Sequence, residues 1–318
     1  MRVVIRVLAV FALAGSIGMI PNLAAHAAVA DPPYGVQVQC GGGVFSLAPD
    51  SVIPGGSTSN DFNQLVPYSQ RINASCAQSV SGFGAGAAAS GLANLATGAL
   101  HASASASHDF IQIENGAIIS TGFAQTAPGF QDQLTFTGPT DPFLATFSLR
   151  VTGHISGVSS STAGAFTPAR FAAVLQLSFT GPSPLIFAES RFSGDYVNDS
   201  ILLEDSVNAE TLSLDPANLN IIEHFSARVF PDTPYFLDAA LILQTASLAQ
   251  GAGGPLFSNL DFGDTAKLQI ELPNGVTFAS ASGVLLTQPV PLPAALYLFG
   301  PALAGGLSFA RRLLRNPM

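Results

Sequence analysis

The sequence predicts an all-β fold, an antiparallel β-sandwich or jelly roll, and three observations lead there. Apolar and polar residues alternate with a period of two through several stretches, as in Phe143, Ala145, Phe147, Leu149 and Val151, which places one face of each strand on a core. Gly, Pro and Asn, the residues of turns, separate those stretches. The 23 phenylalanines suit a core between pleated sheets, and no stretch carries a long amphipathic helix. A β-helix is the second choice, but no repeat at fixed spacing is present.

The elements follow in chain order. Tyr34 to Val38 alternates as a first strand that ends at the turn Cys40-Gly41-Gly42-Gly43, and Leu47 to Ser69 reads as long connections rich in Pro, Gly, Ser, Asn and Asp. Gly82 to Ser107 is mostly Ala, Gly and Ser. From Leu100 small apolar and hydroxyl residues alternate as in a strand, and for Gly82 to Gly91 a strand and a flexible low-complexity segment are both open. Short strands are expected over Phe110–Glu114, Ala117–Phe123 and Gln133–Thr137, then longer ones over Phe143–Val151, Phe171–Phe179, Phe225–Val229, Leu237–Thr245 and Ala266–Leu272. Val276 to Phe278 reads as the returning arm of a hairpin after Pro273-Asn274-Gly275, and Val284 to Leu286 as a last short strand.

Both ends of the chain carry address signals. Arg2 and Arg6 precede an apolar run from Val7 to Ile20, then Pro21 and small residues up to Ala30. That order is a secretory signal peptide over residues 1–30, with cleavage expected after Ala30. At the other end, 19 uncharged residues from Leu292 to Ala310 precede Arg311, Arg312 and Arg315. As a helix this run would extend about 28 Å, close to the thickness of a hydrocarbon core. The arginines would hold its end on the cytoplasmic side, leaving residues 31–289 as one β-rich extracytoplasmic domain.

Val290-Pro291-Leu292-Pro293-Ala294, the apolar run and Arg311-Arg312 resemble the VPLPA form of the PEP-CTERM sorting signal, spanning residues 290–315 with its transmembrane helix at 292–310. Leu292 stands where the commoner form of that signal has Glu. The stretches Asp261 to Ala266 and Leu272 to Gly283 are similar to what often precedes such a tail. The resemblance implies a bacterial protein exported across the inner membrane, processed by signal peptidase and an exosortase. It further implies delivery to the cell surface or extracellular polymer, with the tail as a transient or retained anchor. The tail occurs on many unrelated domains, so it describes delivery rather than chemistry.

Between the signal peptide and the tail, six basic residues face all 20 acidic ones, a net charge near −14. That balance argues against nucleic acid and against adsorption to anionic lipid. Cys40 and Cys76 are the only cysteines, and an even pair in an exported chain is expected to form a disulfide.

No motif of nucleophilic, zinc or phosphate chemistry appears: Gly-x-Ser-x-Gly, His-Glu-x-x-His and Gly-x-x-x-x-Gly-Lys are all missing. His101, His108, His154 and His224 are scattered, although His101 and His108 flank one strand. The one carboxylate cluster with the ligand type for Ca²⁺ is Asp195, Asp199, Glu204 and Asp205, with Glu210 beyond it, and its spacing is not that of an EF-hand. Asp261 and Asp264 beside Gly263 read as turn chemistry. A glycosidase would need two convergent carboxylates, and the chain has no Trp for a sugar platform. No catalytic residue and no organic cofactor is assigned. The leading expectation is a non-catalytic surface or matrix protein associated with exopolysaccharide. A Ca²⁺-dependent carbohydrate-binding module and a secreted polysaccharide hydrolase are the alternatives.

Overall fold

The computed structural model describes residues 34–286, apart from 48–56, 68, 83, 109–110, 114–115, 140, 158–164, 167–168, 180–185, 198–199 and 250–255. The signal segment 1–30 and the sorting tail 290–315 lie outside the described residues.

Two antiparallel sheets pack face to face as a β-sandwich. The first contains β1 (Tyr34–Leu47), β2 (Ser57–Val66), β7 (Gly116–Thr137), β10 (Ala169–Phe179), β11 (Ile186–Val197), β12 (Ser200–Val207) and β15 (Pro234–Ala249), in the order β12-β11-β10-β15-β7-β1-β2. Short strands β6 (Ile111–Ile113) and β17 (Thr277–Ser280) pair with β7, and β9 (Ala165–Phe166) pairs with β15. The second sheet contains β3 (Asn73–Gly82), β4 (Ala85–Asn94), β5 (Ala99–His108), β8 (Phe143–Gly157), β13 (Ala209–Ser213), β14 (Leu219–Val229) and β16 (Leu256–Glu271), in the order β13-β14-β8-β16-β5-β4-β3. A 3-10 turn, Pro216–Asn218, leads into β14. Among the described residues no helix is long and apolar enough to cross a membrane.

The alternating stretches fall where the period of two puts them. In β10, Phe171, Ala173, Leu175 and Leu177 are buried while the residues between them are partly exposed. β8 and β14 pair in register from Val229↔Phe143 to Leu219↔Gly153 and bury Phe147, Leu149, Val151, Ile221 and Phe225. Between the sheets the aromatic rings interlock. Phe136 meets Phe143, Phe147 and Tyr235 edge-on at 6.0–6.3 Å, and Phe147 stacks on Phe225 at 5.1 Å. Such pairs contribute about 0.5–1.5 kcal/mol each beyond the area they bury.

The chain departs from the sequence reading wherever small or turn-forming residues serve inside strands. β1 runs through Gly41-Gly42-Gly43, held by β2 on one side and β7 on the other. β2 occupies part of the expected connection between Leu47 and Ser69. The low-complexity segment is β4, whose exposure alternates without a break and which pairs with both β3 and β5. The reason is steric. A methyl group added at Gly122 of β7 would lie 2.2 Å from the backbone oxygen of Gly86 in β4, so the two sheets meet there backbone to backbone, an approach only small residues allow.

β7 is one strand of 22 residues where two short ones were expected. Pro128 lies in its middle. Pairing with β1 continues through Pro128↔Val38, while pairing with β15 is interrupted between Gly129↔Ala240 and Thr126↔Leu243. A proline has no N–H to give, and the interruption spans only Ala127 and Pro128. Near the end of the chain, β17 pairs with β7 of the first sheet rather than returning against β16. Residues 284–286 form turns instead of a strand, and the Leu286 amide donates to the Leu95 carbonyl at 3.3 Å.

Cys40 of β1 and Cys76 of β3 form the expected disulfide, with Cα atoms 6.0 Å apart. It joins the two sheets, and both residues are buried. Closing 36 residues lowers the entropy of the unfolded chain by an amount worth roughly 3–4 kcal/mol.

Candidate functional site

A polar cleft of about 240 Å³ opens on the outer face of the second sheet. Thr152, Gly153 and His154 of β8, Asn218 of the 3-10 turn, Asn220 of β14 and Asp261 of β16 line it. The strand register assembles these residues. Thr152 sits opposite Asn220, and His154 sits opposite Asp261. The turn that brings Asn218 over the sheet is fixed by Asp215, whose side chain accepts a hydrogen bond from the Ala217 amide at 3.0 Å, the usual role of an N-cap aspartate.

The cleft floor at Gly153 rests on the ring of Phe262: a methyl group there would lie 2.6–2.8 Å from ring carbons. Asp261 accepts a hydrogen bond from the Gly263 amide at 2.9 Å, as the turn reading of Asp261 and Gly263 requires. The pairing of β16 shifts register between Asp261 and Ala266, a bulge that turns the strand beside the cleft. His101 reaches the same bulge and hydrogen-bonds through Nδ1 to the Gly263 carbonyl. At the opposite rim Arg150 donates from Nε to Asn220 Oδ1 at 3.2 Å. The cleft therefore offers an imidazole, a carboxylate, two amides and a hydroxyl. That set exchanges hydrogen bonds with a polar, uncharged ligand.

The residues singled out in the sequence are dispersed. Asp195 is on β11, where Arg170 holds it by two hydrogen bonds, Nε to Oδ1 at 2.8 Å and Nη2 to Oδ2 at 3.1 Å. Glu204 and Asp205 belong to β12 beside a register shift opposite Ser193 and Gly194, and Asp199 lies outside the described residues. The stretch that carries this carboxylate cluster is thus largely the hairpin β11–β12. Among the described residues no group of three or more His, Cys, Asp and Glu side chains is arranged to hold a metal ion. His101 and His108 sit near opposite ends of β5, about 23 Å apart on an extended strand, and do not meet. His224 is exposed on β14.

Two buried carboxyl groups lie outside the cleft. Glu223 points from β14 into the space between the sheets, with no exposed surface and no hydrogen-bond partner for either oxygen. Burial raises its pKa well above the usual value; the Phe192 backbone favours the charged form, without reaching hydrogen-bond geometry, and is outweighed. Asp132 of β7 is also buried, and burial raises its pKa too, opposed by hydrogen bonds from the Ser282 hydroxyl and amide.

A signal for Glu223 was present in the sequence. Carrying the alternation of Phe225, Ala227 and Val229 back through Ile221 puts Glu223 on the core face of the strand. No sequence signal marks Thr152, Asn218 or Asn220, because only the pairing of β8 with its neighbours makes them a site. No protein-family model matches the chain, and no curated protein matches it.

Proposed function

We propose that this is a non-catalytic, exported surface or matrix protein. Its β-sandwich would be delivered by the C-terminal signal and would contact extracellular polysaccharide. The observation that carries the reading is the Cys40–Cys76 bond between the two sheets. Structural disulfides form and persist outside the reducing cytoplasm, in accord with a chain whose two ends read as export and sorting segments. The anionic composition fits a partner that is neither nucleic acid nor anionic lipid.

The cleft around His154 and Asp261 is where a sugar chain would bind, through the amides of Asn218 and Asn220. Asp261 is the one carboxylate among its described lining residues, whereas glycoside hydrolysis needs two that converge. Asp195 is already held by Arg170, which weighs against the Ca²⁺-dependent module.

Fractionating the producing cells and weighing the surface-released protein tests delivery. The expected product has lost residues 1–30 and Arg311 to Arg315, whereas a product confined to the cytoplasm contradicts the reading. Titrating neutral exopolysaccharide fragments against the purified protein tests binding, and Asn218→Ala with Asn220→Ala should weaken it about tenfold or more. Adding EDTA should leave the melting temperature unchanged; a marked fall would favour the Ca²⁺ reading.

A further inference from the structure

At one side of the sandwich the chain passes from the first sheet to the second through a single residue. β12 ends at Val207 and β13 begins at Ala209. Asn208 between them has φ 55°, a left-handed conformation that asparagine adopts more readily than most residues. It holds the corner to both sheets. Its carbonyl accepts hydrogen bonds from the Ser190 hydroxyl of β11 at 2.9 Å and from the His224 amide of β14 at 3.0 Å. Its side chain donates to the Glu189 carbonyl at 2.9 Å.

Glu223 lies next to this corner, opposite Ala209 in the pairing of β13 with β14. Neither of its buried oxygens has a hydrogen-bond partner. Leu149 of β8, Ala209 of β13, Ile221 and Phe225 of β14, and Ser190 and Phe192 of β11 surround it, and none of them titrates. Their charged or ionisable neighbours, Arg150, Glu189, Arg191, Glu210 and His224, alternate to the outer faces of the same strands. Tyr196 is the titratable side chain on the inner face of β11. Such a site tolerates a neutral carboxyl, whereas the anion requires water. Displacing β13 would admit it. That strand has five residues, none of them buried, and a register shift in its pairing with β14, so its release exposes little apolar surface.

We propose that Asn208 and β13 form a flap that swings off β14 when Glu223 loses its proton, letting water reach the carboxylate and loosening one wall of the cleft. The wall follows β13 directly. The Ser213 hydroxyl accepts a hydrogen bond from the Asp215 amide at 3.2 Å, Asp215 caps the 3-10 turn, and Asn218 ends it. The flap stands on the geometry around Glu223, and its effect on a ligand rests on the cleft being the sugar site. Burial keeps the proton on Glu223 above the ordinary value of 4.5, so the closed form prevails in acid and opening increases with pH. On the other side of the sandwich the Cys40–Cys76 bond keeps the sheets joined at any pH.

Amide hydrogen exchange of the protein, purified as the cells export it, tests the flap between pH 5 and 8. After correction for the intrinsic rise of exchange with pH, protection of residues 209–224 should fall by up to about tenfold per pH unit. The fall should not respond to dilute urea, because a local opening exposes little surface. Glu223→Gln and Glu223→Leu should each hold the protection constant. Protection that is constant in the wild type overturns the inference. So does protection lost only through urea-sensitive unfolding of the whole domain, or lost equally in both variants. Neutral exopolysaccharide fragments should bind the wild type more weakly at pH 8 than at pH 5, and Glu223→Gln equally at both. Equal weakening in that variant overturns the link between flap and cleft. Fragments that bind at neither pH refute the sugar reading, while the exchange still decides the flap.

Discussion

The two halves of the sandwich are filled in opposite ways. Where β7, β8, β10, β14 and β15 face one another, large rings separate the sheets: Phe136, Phe147, Phe171, Phe192, Phe225, Phe262 and Tyr235 are all buried. Where β4 and β5 lie against β1 and β7, the interior is Ala85, Ala87, Ala89, Ala102, Ala104 and Ala106, and the sheets meet at Gly122 and Gly86. Apolar burial stabilises by about 25 cal/mol per Å², so an alanine-lined interior gains far less per residue than a phenylalanine-lined one. The disulfide falls in the alanine half. The contrast shows two ways of joining sheets, one by buried area and one by close approach with a covalent tie.

The largest effect expected from disturbing this arrangement is in the aromatic half. Phe147→Ala removes a ring that touches both Phe136 and Phe225 and should cost about 3–5 kcal/mol in urea unfolding. Replacing Cys40 and Cys76 together by Ala should cost roughly 3–4 kcal/mol, with amide exchange speeding up first in β1, β3 and β4. A uniform loss of protection across both halves would show that the halves do not differ in this way. Next comes Gly122→Ala, which drives a methyl group onto the Gly86 carbonyl and should cost about 1–3 kcal/mol, although the same change at an open strand position stabilises.

The smallest effect per step is a slope with pH, and it sets a polar exception within the aromatic half. The folded protein holds the Glu223 proton above pH 4.5, where the unfolded chain releases it. The raised folded-state pKa makes stability greatest below that pH. As pH rises towards the folded-state value, stability should fall by about 1.4 kcal/mol per pH unit. Asp132 adds to the slope with the same sign. Melting curves collected between pH 4.5 and 8 should show the decline, and Glu223→Gln should flatten it. A Glu223→Gln protein with the wild-type pH dependence would place the effect elsewhere.

The same contrast explains what the sequence disclosed. Strands such as Phe171 to Phe179 were legible because large apolar residues alternate with polar ones, and a period of two survives any tertiary setting. β4 was hidden because Ala, Gly and Ser differ too little in hydropathy for alternation to show, although its exposure alternates as regularly as that of β10. β2 and the β11–β12 hairpin were hidden by Asn, Asp and Ser, which have turn chemistry of their own. These strands are imposed by neighbours already in place. The disulfide followed from arithmetic on two cysteines. The cleft could not be read, since Asp261 meets His154 only through a register that links residues 107 positions apart.

Pro128 also matters before the chain folds. Residues 116–131, most of β7, carry no charge and are rich in β-forming side chains, the composition of segments that stack identical strands into fibrils. In such a stack every backbone amide must bond to the copy above or below, and a proline at the same level of every copy would break the ladder throughout. In the native sheet the same residue interrupts pairing with β15 at one place, while β1 pairs along its other side. β7 thus carries a residue that the folded sandwich tolerates and the fibril does not.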